Sequence, residues 1–194
     1  MSKPDPFAAT LAFAQILHAL RIPYVVGGSL ASMVHGEYRL TNDVDIAIAL
    51  TFWQVDTLAG LLAREFIVER DAIAEAVREN SSFGAIYRPV VMRMDVYVRK
   101  AEGHFAAQLE RAQKHTIGAD SEQFAFFCTA EDIVLQKLRW YQMSDGASDR
   151  QWRDVIGVLK HSHDRMDSEY LSRWAVDLGV ASLLQRALLE SGLS

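Results

Sequence analysis

Residues 24–50 read YVVGGSLASMVHGEYRLTNDVDIAIAL, and this stretch decides the fold. Residues 24–26 (YVV) are a short apolar run that ends at residues 27–29 (GGS), which is typical of a buried strand followed by a turn. In residues 43–50 (DVDIAIAL), acidic or small residues alternate with Val, Ile and Leu, which is the period of a half-buried strand. The stretch therefore predicts a strand, a glycine turn, a helix and a second strand, in that order.

Three aspartates are predicted to share the polar face of two strands. Because residues i and i+2 of a strand point to the same side, Asp43 and Asp45 face one way while Val44 faces the other. The same alternation in residues 92–99 (MRMDVYVR) places Asp95 on a polar face. Carboxylates held this close repel one another, and a divalent cation relieves the repulsion because Mg²⁺ prefers oxygen ligands. The pattern predicts a site for two Mg²⁺ ions, or Mn²⁺, as in phosphoryl-transfer enzymes.

The glycine turn suits the other half of such a site. Gly27 and Gly28 have no side chain, so their backbone amides can approach a polyphosphate closely, and the start of a helix attracts its charge. Each feature also has an ordinary structural explanation: a simple turn, turn chemistry at Asp43, or a surface ion pair between Asp95 and a neighbouring arginine. It is the ordered combination that favours a metal and nucleotide site.

This combination resembles the nucleotidyltransferase superfamily, the polymerase-β-like fold, whose signature is Gly-Gly/Ser, an acidic pair and a third acid on a later strand. Residues 26–32 and 39–46 carry the resemblance, particularly to a small prokaryotic branch similar to abortive-infection type nucleotidyltransferase toxins. It implies an α/β (α+β) fold, with a small mixed sheet flanked by helices and followed by a C-terminal helical bundle. We expect an α/β core over residues 1–128, with the helical region of residues 129–194 packed on it.

The resemblance also implies roles for individual residues. Asp95 would ligate one metal ion and help to activate the acceptor hydroxyl, and the helical carboxy-terminal part would contribute a lysine and acidic residues. The catalytic and metal-binding set is Asp43, Asp45 and Asp95; the nucleotide-binding set is Gly27, Gly28, Ser29 and Lys137; the further candidates are Arg39, Thr41 and Asp154.

Lys137 has two interpretations that the sequence leaves open. The residues three and four positions away on a helix are its neighbours, and here they are apolar. A lysine in such a stripe must snorkel, pair or reach into a cleft. The two interpretations are a lysine that binds nucleotide phosphates and one that snorkels from the edge of the core to water. The neighbours are Ile133, Val134, Trp140 and Tyr141.

Composition excludes several classes of protein. The chain has 194 residues with 20 Lys and Arg and 25 Asp and Glu, a net charge of −5, so it has no broad basic field for long duplex DNA. Its one cysteine, Cys128, cannot form an internal disulfide. No window reaches the roughly 18 apolar residues that a membrane helix needs, and the amino terminus lacks the apolar stretch of a signal peptide. We therefore expect a cytoplasmic protein without a membrane partner.

The function predicted from these observations is Mg²⁺-dependent transfer of a nucleoside monophosphate from an NTP to a hydroxyl acceptor, with release of pyrophosphate. The acceptor classes are an RNA end, a protein side chain and a small molecule, and one version is a toxin with a cognate antitoxin protein. The alternative is a non-catalytic interaction module of the same fold, such as an antitoxin-like partner-binding protein. A DNA-binding regulator and a dinucleotide-binding protein fit less well, because the last helices are acidic and no GxGxxG motif is present at the glycine turn.

Overall fold

The structure is a computed structural model that describes residues 5–36 and 41–193. Of these, residues 5–30 and 41–127 form one compact unit, and residues 31–36 and 128–193 form a second. The division falls between residues 127 and 128, and residues 31–36 belong to the unit that contains the carboxy-terminal helices.

A mixed β-sheet forms the centre of the first unit. Its strands are β1 (Tyr24–Val26), β2 (Asp43–Ile48), β3 (Phe66–Ile67), β4 (Ser82–Tyr87), β5 (Met92–Val98), β6 (Gln113–Thr116) and β7 (Phe124–Phe127). Within residues 5–36 and 41–193, the order across the sheet is β3-β4-β5-β2-β1-β7-β6. β2 pairs with β5 in parallel, as β1 does with β7, and the other neighbours are antiparallel. β6 and β7 form an antiparallel pair at one edge of this sheet.

Helices cover the apolar side of this sheet. Val44, Ile46 and Met94 have no exposed surface, and the ring of Phe13 meets that of Phe66 edge-on at 5.4 Å. The first helix is capped by Asp5, whose carboxylate accepts the N–H of Ala8 at 3.0 Å. The helices that begin in this unit are α1 (Pro6–Ala19), α2 (Gly28–Val34), α3 (Val55–Leu62), α4 (Arg70–Glu79) and α5 (Gly103–Arg111).

The second unit is helical, as its apolar periodicity predicts. The long helices are α6 (Ala130–Met143), α7 (Asp149–Ser162), α8 (Ser168–Asp177) and α9 (Ala181–Ser191). Side chains cap the first two of these helices: the Thr129 hydroxyl accepts the N–H of Asp132, and the Ser148 hydroxyl accepts the N–H of Gln151. α6 packs on α7, and α7 on α9. In the part of the chain that the structure describes, no helix has both the length and the apolar character needed to cross a bilayer.

Candidate active site

The glycine turn lies directly beside one of the candidate aspartates. The Gly27 N–H donates to the backbone carbonyl of Asp45 at 2.9 Å, which fixes the end of β1 against β2. Gly28 has φ +58°, and a Cβ at this position would overlap Asp45 Oδ2 and lie 2.6 Å from Asp45 Cγ. Only glycine adopts this conformation readily and leaves this space. Glycine at position 28 therefore leaves room for the Asp45 side chain.

The register of β2 and β5 brings the acidic residues of the two strands together. Asp45 is aligned with Asp95, and Asp43 is aligned with Arg93. On both strands every second residue is buried, and these polar residues occupy the other, partly exposed face. Because neighbouring strands lie about 4.8 Å apart, Asp45 and Asp95 are side by side. The three aspartates share one face of the sheet, as the alternation predicts.

Hydroxyl groups donate to two of these carboxylates. Thr41 is buried, and its hydroxyl contacts both Oδ1 of Asp43 at 2.8 Å and the backbone carbonyl of Asp43 at 3.0 Å. The Tyr97 hydroxyl donates to Asp45 Oδ1 at 3.4 Å. Thr41 therefore positions Asp43 and Tyr97 contacts Asp45, whichever ligand the carboxylates bind.

Tyr97 is a site residue to which the sequence assigned no role. Its period-two spacing from Asp95 did predict the correct face, but a tyrosine on a strand has many explanations. Partial burial, and then the negative charges of Asp45 and Asp95, raise the pKa of Tyr97 to about 12. The phenol therefore stays protonated near neutral pH and remains a hydrogen-bond donor to Asp45.

An arginine contacts the third carboxylate. Arg93 Nε lies 2.9 Å and Nη2 2.8 Å from the same oxygen, Oδ1 of Asp95. The other arginines of this region have different partners: Arg88 donates to the backbone carbonyls of Ala63 and Arg64, and Arg99 to those of Asn80, Ser81 and Val98. The surface ion pair that the sequence offered as an ordinary explanation of Asp95 is therefore present.

The donor chemistry of this face fits a hard divalent cation in part. Asp45 and Asp95 present carboxylate oxygens from adjacent, aligned positions, and Asp43 lies two residues along the same face. Within residues 5–36 and 41–193, however, no three His, Cys, Asp or Glu side chains are grouped closely enough to hold a metal ion. Each carboxylate instead has a hydroxyl or guanidinium donor. A metal role for the three aspartates stays a prediction.

The remaining site candidates are Ser29, Lys137, Asp154 and Arg39. Ser29 is buried in the first turn of α2. Lys137 is only 1% exposed, and its Nζ lies 2.7 Å from Asp154 Oδ2 and 3.3 Å from Gln151 Oε1, all within the helical unit. The lysine does not snorkel to water; it pairs with Asp154 inside that unit. Arg39 lies outside the described residues.

Comparison with solved structures identifies the architecture. An antigenic nucleotidyltransferase-like protein from Paracoccidioides brasiliensis superposes with a TM-score of 0.54 at 19% identity, over 79% of this chain and 74% of that one. The antibiotic-resistance factor ANT(2″)-Ia superposes with a TM-score of 0.57 at 13% identity, over 96% and 97% of the two chains. The chain has the nucleotidyltransferase fold. The same factor in complex with adenylyl-2″-tobramycin also gives a TM-score of 0.57, at 9% identity, over 89% of this chain and 95% of that one.

Sequence comparison alone does not reach this result. No protein-family model matches the chain, and no curated protein matches it in sequence. The nucleotidyltransferase fold expected from the glycine turn and the acidic strands is confirmed by the three-dimensional likeness. At these identities the likeness extends to the fold and not to the reaction.

Proposed function

We propose that this chain is a nucleotidyltransferase, which moves a nucleoside monophosphate from an NTP to an acceptor hydroxyl. One observation carries the proposal: Asp45 and Asp95 are aligned on the same open face of adjacent parallel strands, beside a glycine whose Cβ would overlap Asp45. The fold of this chain is found in solved nucleotidyltransferase-like proteins, which supports the same class of reaction.

The metal-binding part of the proposal assigns a pair of Mg²⁺ or Mn²⁺ ions to Asp43, Asp45 and Asp95. When bound, such ions neutralise charge that develops on the attacking and leaving oxygens. In the transfer step, the acceptor oxygen bonds to the α-phosphorus while the bond from that phosphorus to pyrophosphate breaks. Asp95 accepts the proton of the hydroxyl, which makes the oxygen a better nucleophile. Thr41 holds the carboxylate of Asp43 in place during this step.

The nucleotide-binding part assigns the triphosphate to the backbone at Gly27, Gly28 and Ser29. The absence of side chains at the two glycines lets phosphate oxygens approach the backbone closely, while the Gly27 N–H itself keeps the carbonyl of Asp45 as its acceptor. Lys137 was the other candidate for the nucleotide. Its buried ammonium is held by Asp154, so the role that we assign to it is to fix α6 against α7.

The acceptor class that we propose is a small molecule with hydroxyl groups. ANT(2″)-Ia is an antibiotic-resistance factor whose solved complex contains adenylyl-2″-tobramycin, and it superposes on this chain over most of both lengths. An RNA end and a protein side chain are the other acceptor classes, and a toxin paired with an antitoxin is a version in which one of these is modified. They are distinguished by which molecule becomes labelled.

The test uses the full-length protein with each α-labelled NTP, Mg²⁺ or Mn²⁺, and separate pools of small hydroxylated compounds, RNA and protein. We expect labelled small-molecule product and pyrophosphate from the wild-type chain. Asp45→Asn and Asp95→Asn should abolish both products while leaving the circular dichroism spectrum unchanged. The control is Asp56→Asn, which removes an exposed carboxylate that also pairs with an arginine, Arg70. Turnover that survives in both site variants would exclude the mechanism.

The alternative function is a non-catalytic module that keeps the fold and binds a partner protein. One observation favours it: within the described ranges 5–36 and 41–193, the acidic side chains do not form a three-ligand metal cluster. The two functions differ in a melting experiment, because only a nucleotide-binding protein is stabilised by NTP together with Mg²⁺. An unchanged melting temperature with every NTP would favour the interaction module.

A further inference from the structure

Arg93 and Asp95 form an ion pair at the position where the proposed function, on which this inference rests, requires a metal ligand. Two residues apart on β5, they share the face of the sheet that carries the acidic residues. Two guanidinium nitrogens converge on one oxygen, Oδ1 of Asp95, at 2.8 and 2.9 Å. A cation thus already occupies one coordinating oxygen of Asp95, and this cation is part of the chain.

The charge of Arg93 also acts on the acidic residue of the neighbouring strand. Arg93 is the register partner of Asp43 across the parallel ladder. The hydrogen bond and the charge of Asp95 raise the pKa of Arg93 most, and the charge of Asp43 raises it further. The guanidinium therefore reduces repulsion among the carboxylates, which is the task that the sequence analysis assigned to a divalent cation.

The exposure of this ion pair allows the Arg93 guanidinium to leave Asp95. The side chain of Arg93 is 69% exposed and that of Asp95 is 23% exposed, so water can solvate the guanidinium once it leaves. Exposed ion pairs contribute little to stability, since high dielectric and side-chain entropy offset the attraction. The adjoining strand β4 leaves room for this movement, because Gly84 is aligned with Asp95 and a Cβ on Gly84 would meet no atom within 4 Å.

We propose that Arg93 is an internal counter-ion, which holds Asp95 Oδ1 in the metal-free protein and is displaced when a divalent cation binds. Because arginine remains charged at all accessible pH values, a divalent cation at Asp95 always competes with a positive charge. Arg93 is thus a positioning residue that sets the apparent metal affinity of the site.

The test measures binding of Mn²⁺ alone by isothermal titration calorimetry, at fixed ionic strength and without nucleotide. Arg93→Gln keeps most of the side-chain length and removes the charge, so metal no longer competes with a guanidinium. We expect Mn²⁺ to bind about two- to fivefold more tightly to this variant, which is the range that an exposed ion pair implies. Arg93→Lys keeps the positive charge, so its affinity for Mn²⁺ should be close to that of wild type.

The matched control is Arg70→Gln, because Arg70 Nε also pairs with an aspartate oxygen, Asp56 Oδ1, at 2.8 Å on the surface. It should leave the Mn²⁺ affinity unchanged, whereas adding Asp95→Asn to Arg93→Gln should remove the gain. Unchanged or weaker Mn²⁺ binding by Arg93→Gln, with wild-type binding and transfer activity intact, would overturn the counter-ion role and leave the proposed function standing. A chain that transfers the nucleotide but binds no Mn²⁺ alone in any variant would also overturn the counter-ion role and leave the function standing, whereas a chain that neither binds Mn²⁺ nor transfers a nucleotide would overturn both.

Discussion

Two ion pairs in this chain have nearly the same geometry and opposite surroundings. Lys137 Nζ lies 2.7 Å from Asp154 in the helical unit, and Arg93 Nη2 lies 2.8 Å from Asp95 on the sheet. The side chains of the first pair are 2% and 6% exposed, whereas those of the second are 69% and 23% exposed. The two pairs have similar distances, but they differ in exposure to solvent. The buried pair is a fixed contact, and the exposed pair is exchangeable.

The difference follows from the free energy of removing charges from water. Inside the helical unit, neither Lys137 nor Asp154 can regain hydration if its partner is lost, so each depends on the other. On the sheet, water replaces either partner of the Arg93–Asp95 pair at little cost. The buried pair is suited to holding two helices together. The exposed pair is suited to a site that binds and releases a cation.

The largest expected effect comes from breaking the buried pair. Asp154→Ala leaves the Lys137 ammonium without its carboxylate partner in an interior position. We expect the free energy of unfolding to fall by about 3–5 kcal/mol, as measured by urea denaturation of the full chain. Asp56→Ala, which removes the partner of the exposed Arg70, should leave the urea midpoint essentially unchanged.

A double variant sharpens this prediction. Replacing both partners, Lys137→Met with Asp154→Leu, removes the charges together and should recover much of the lost stability, because no unpaired ion remains. If Asp154→Ala alone unfolds at the wild-type urea midpoint, the pair is not the fixed contact that its burial indicates.

The next effect concerns the glycine that adjoins the open face. Gly28→Ala places a Cβ against Asp45 Oδ2 at a φ of +58°, so both sterics and backbone conformation oppose it. We expect this variant to lose about 1–3 kcal/mol of stability, a typical cost of a non-glycine residue held in strain, and to lose nucleotidyl transfer. Urea denaturation and the labelling assay measure the two losses.

Gly60→Ala is the control for this substitution, with the opposite sign. Gly60 is exposed inside α3, and a Cβ there would meet nothing within 4 Å. Alanine in a helix interior is favoured over glycine by about 0.5–1 kcal/mol, so this variant should be slightly more stable than wild type. A Gly28→Ala protein with wild-type stability and transfer would show that Asp45 moves aside without consequence.

The shared face was predicted because it follows from periodicity, and the fold was predicted because the glycine turn and the acidic strands resemble those of the nucleotidyltransferase superfamily. Alternation placed Asp43, Asp45 and Asp95 on a polar face, and the parallel register of β2 and β5 then aligned Asp45 with Asp95. What periodicity could not predict is the partner of each side chain, because a partner depends on rotamers and on register between strands. The sequence named an arginine near Asp95 without deciding between Arg93 and its neighbours.

Lys137 shows the same limit in the helical unit. Its apolar neighbours at helical spacing correctly indicated an unusual lysine, and both Lys137 and Asp154 were named as candidates. That they bind one another requires α6 and α7 to pack at a particular register, which no local pattern encodes. Gly28 was chosen for its approach to phosphate, while its proximity to Asp45 became visible only once β1 and β2 were paired.

A smaller expected effect is a pH dependence of stability that comes from Tyr97, on the same face of the sheet as Asp45 and Asp95. Because the pKa of Tyr97 is raised to about 12, the protonated phenol contributes stability that is fully present below about pH 10, the pKa of an unfolded tyrosine. This contribution is lost as the pH rises through about 12. Between about pH 9 and about pH 11 we expect wild type to lose more stability than Tyr97→Phe, by urea denaturation at each pH. Parallel pH profiles for the two proteins would contradict the raised pKa of Tyr97, which burial and then the charges of Asp45 and Asp95 cause.

The smallest effect is the one that tests the comparison most directly. Arg93→Gln breaks an ion pair as short as the one between Lys137 and Asp154, yet the guanidinium is largely exposed. We expect its urea midpoint to match that of wild type, and we expect any small difference to vanish in high salt, since screening weakens exposed pairs. Destabilisation comparable to that of Asp154→Ala would mean that Arg93 is fixed to Asp95. In that case the guanidinium could not yield to a metal ion, and the exposed pair would belong to the framework of the sheet.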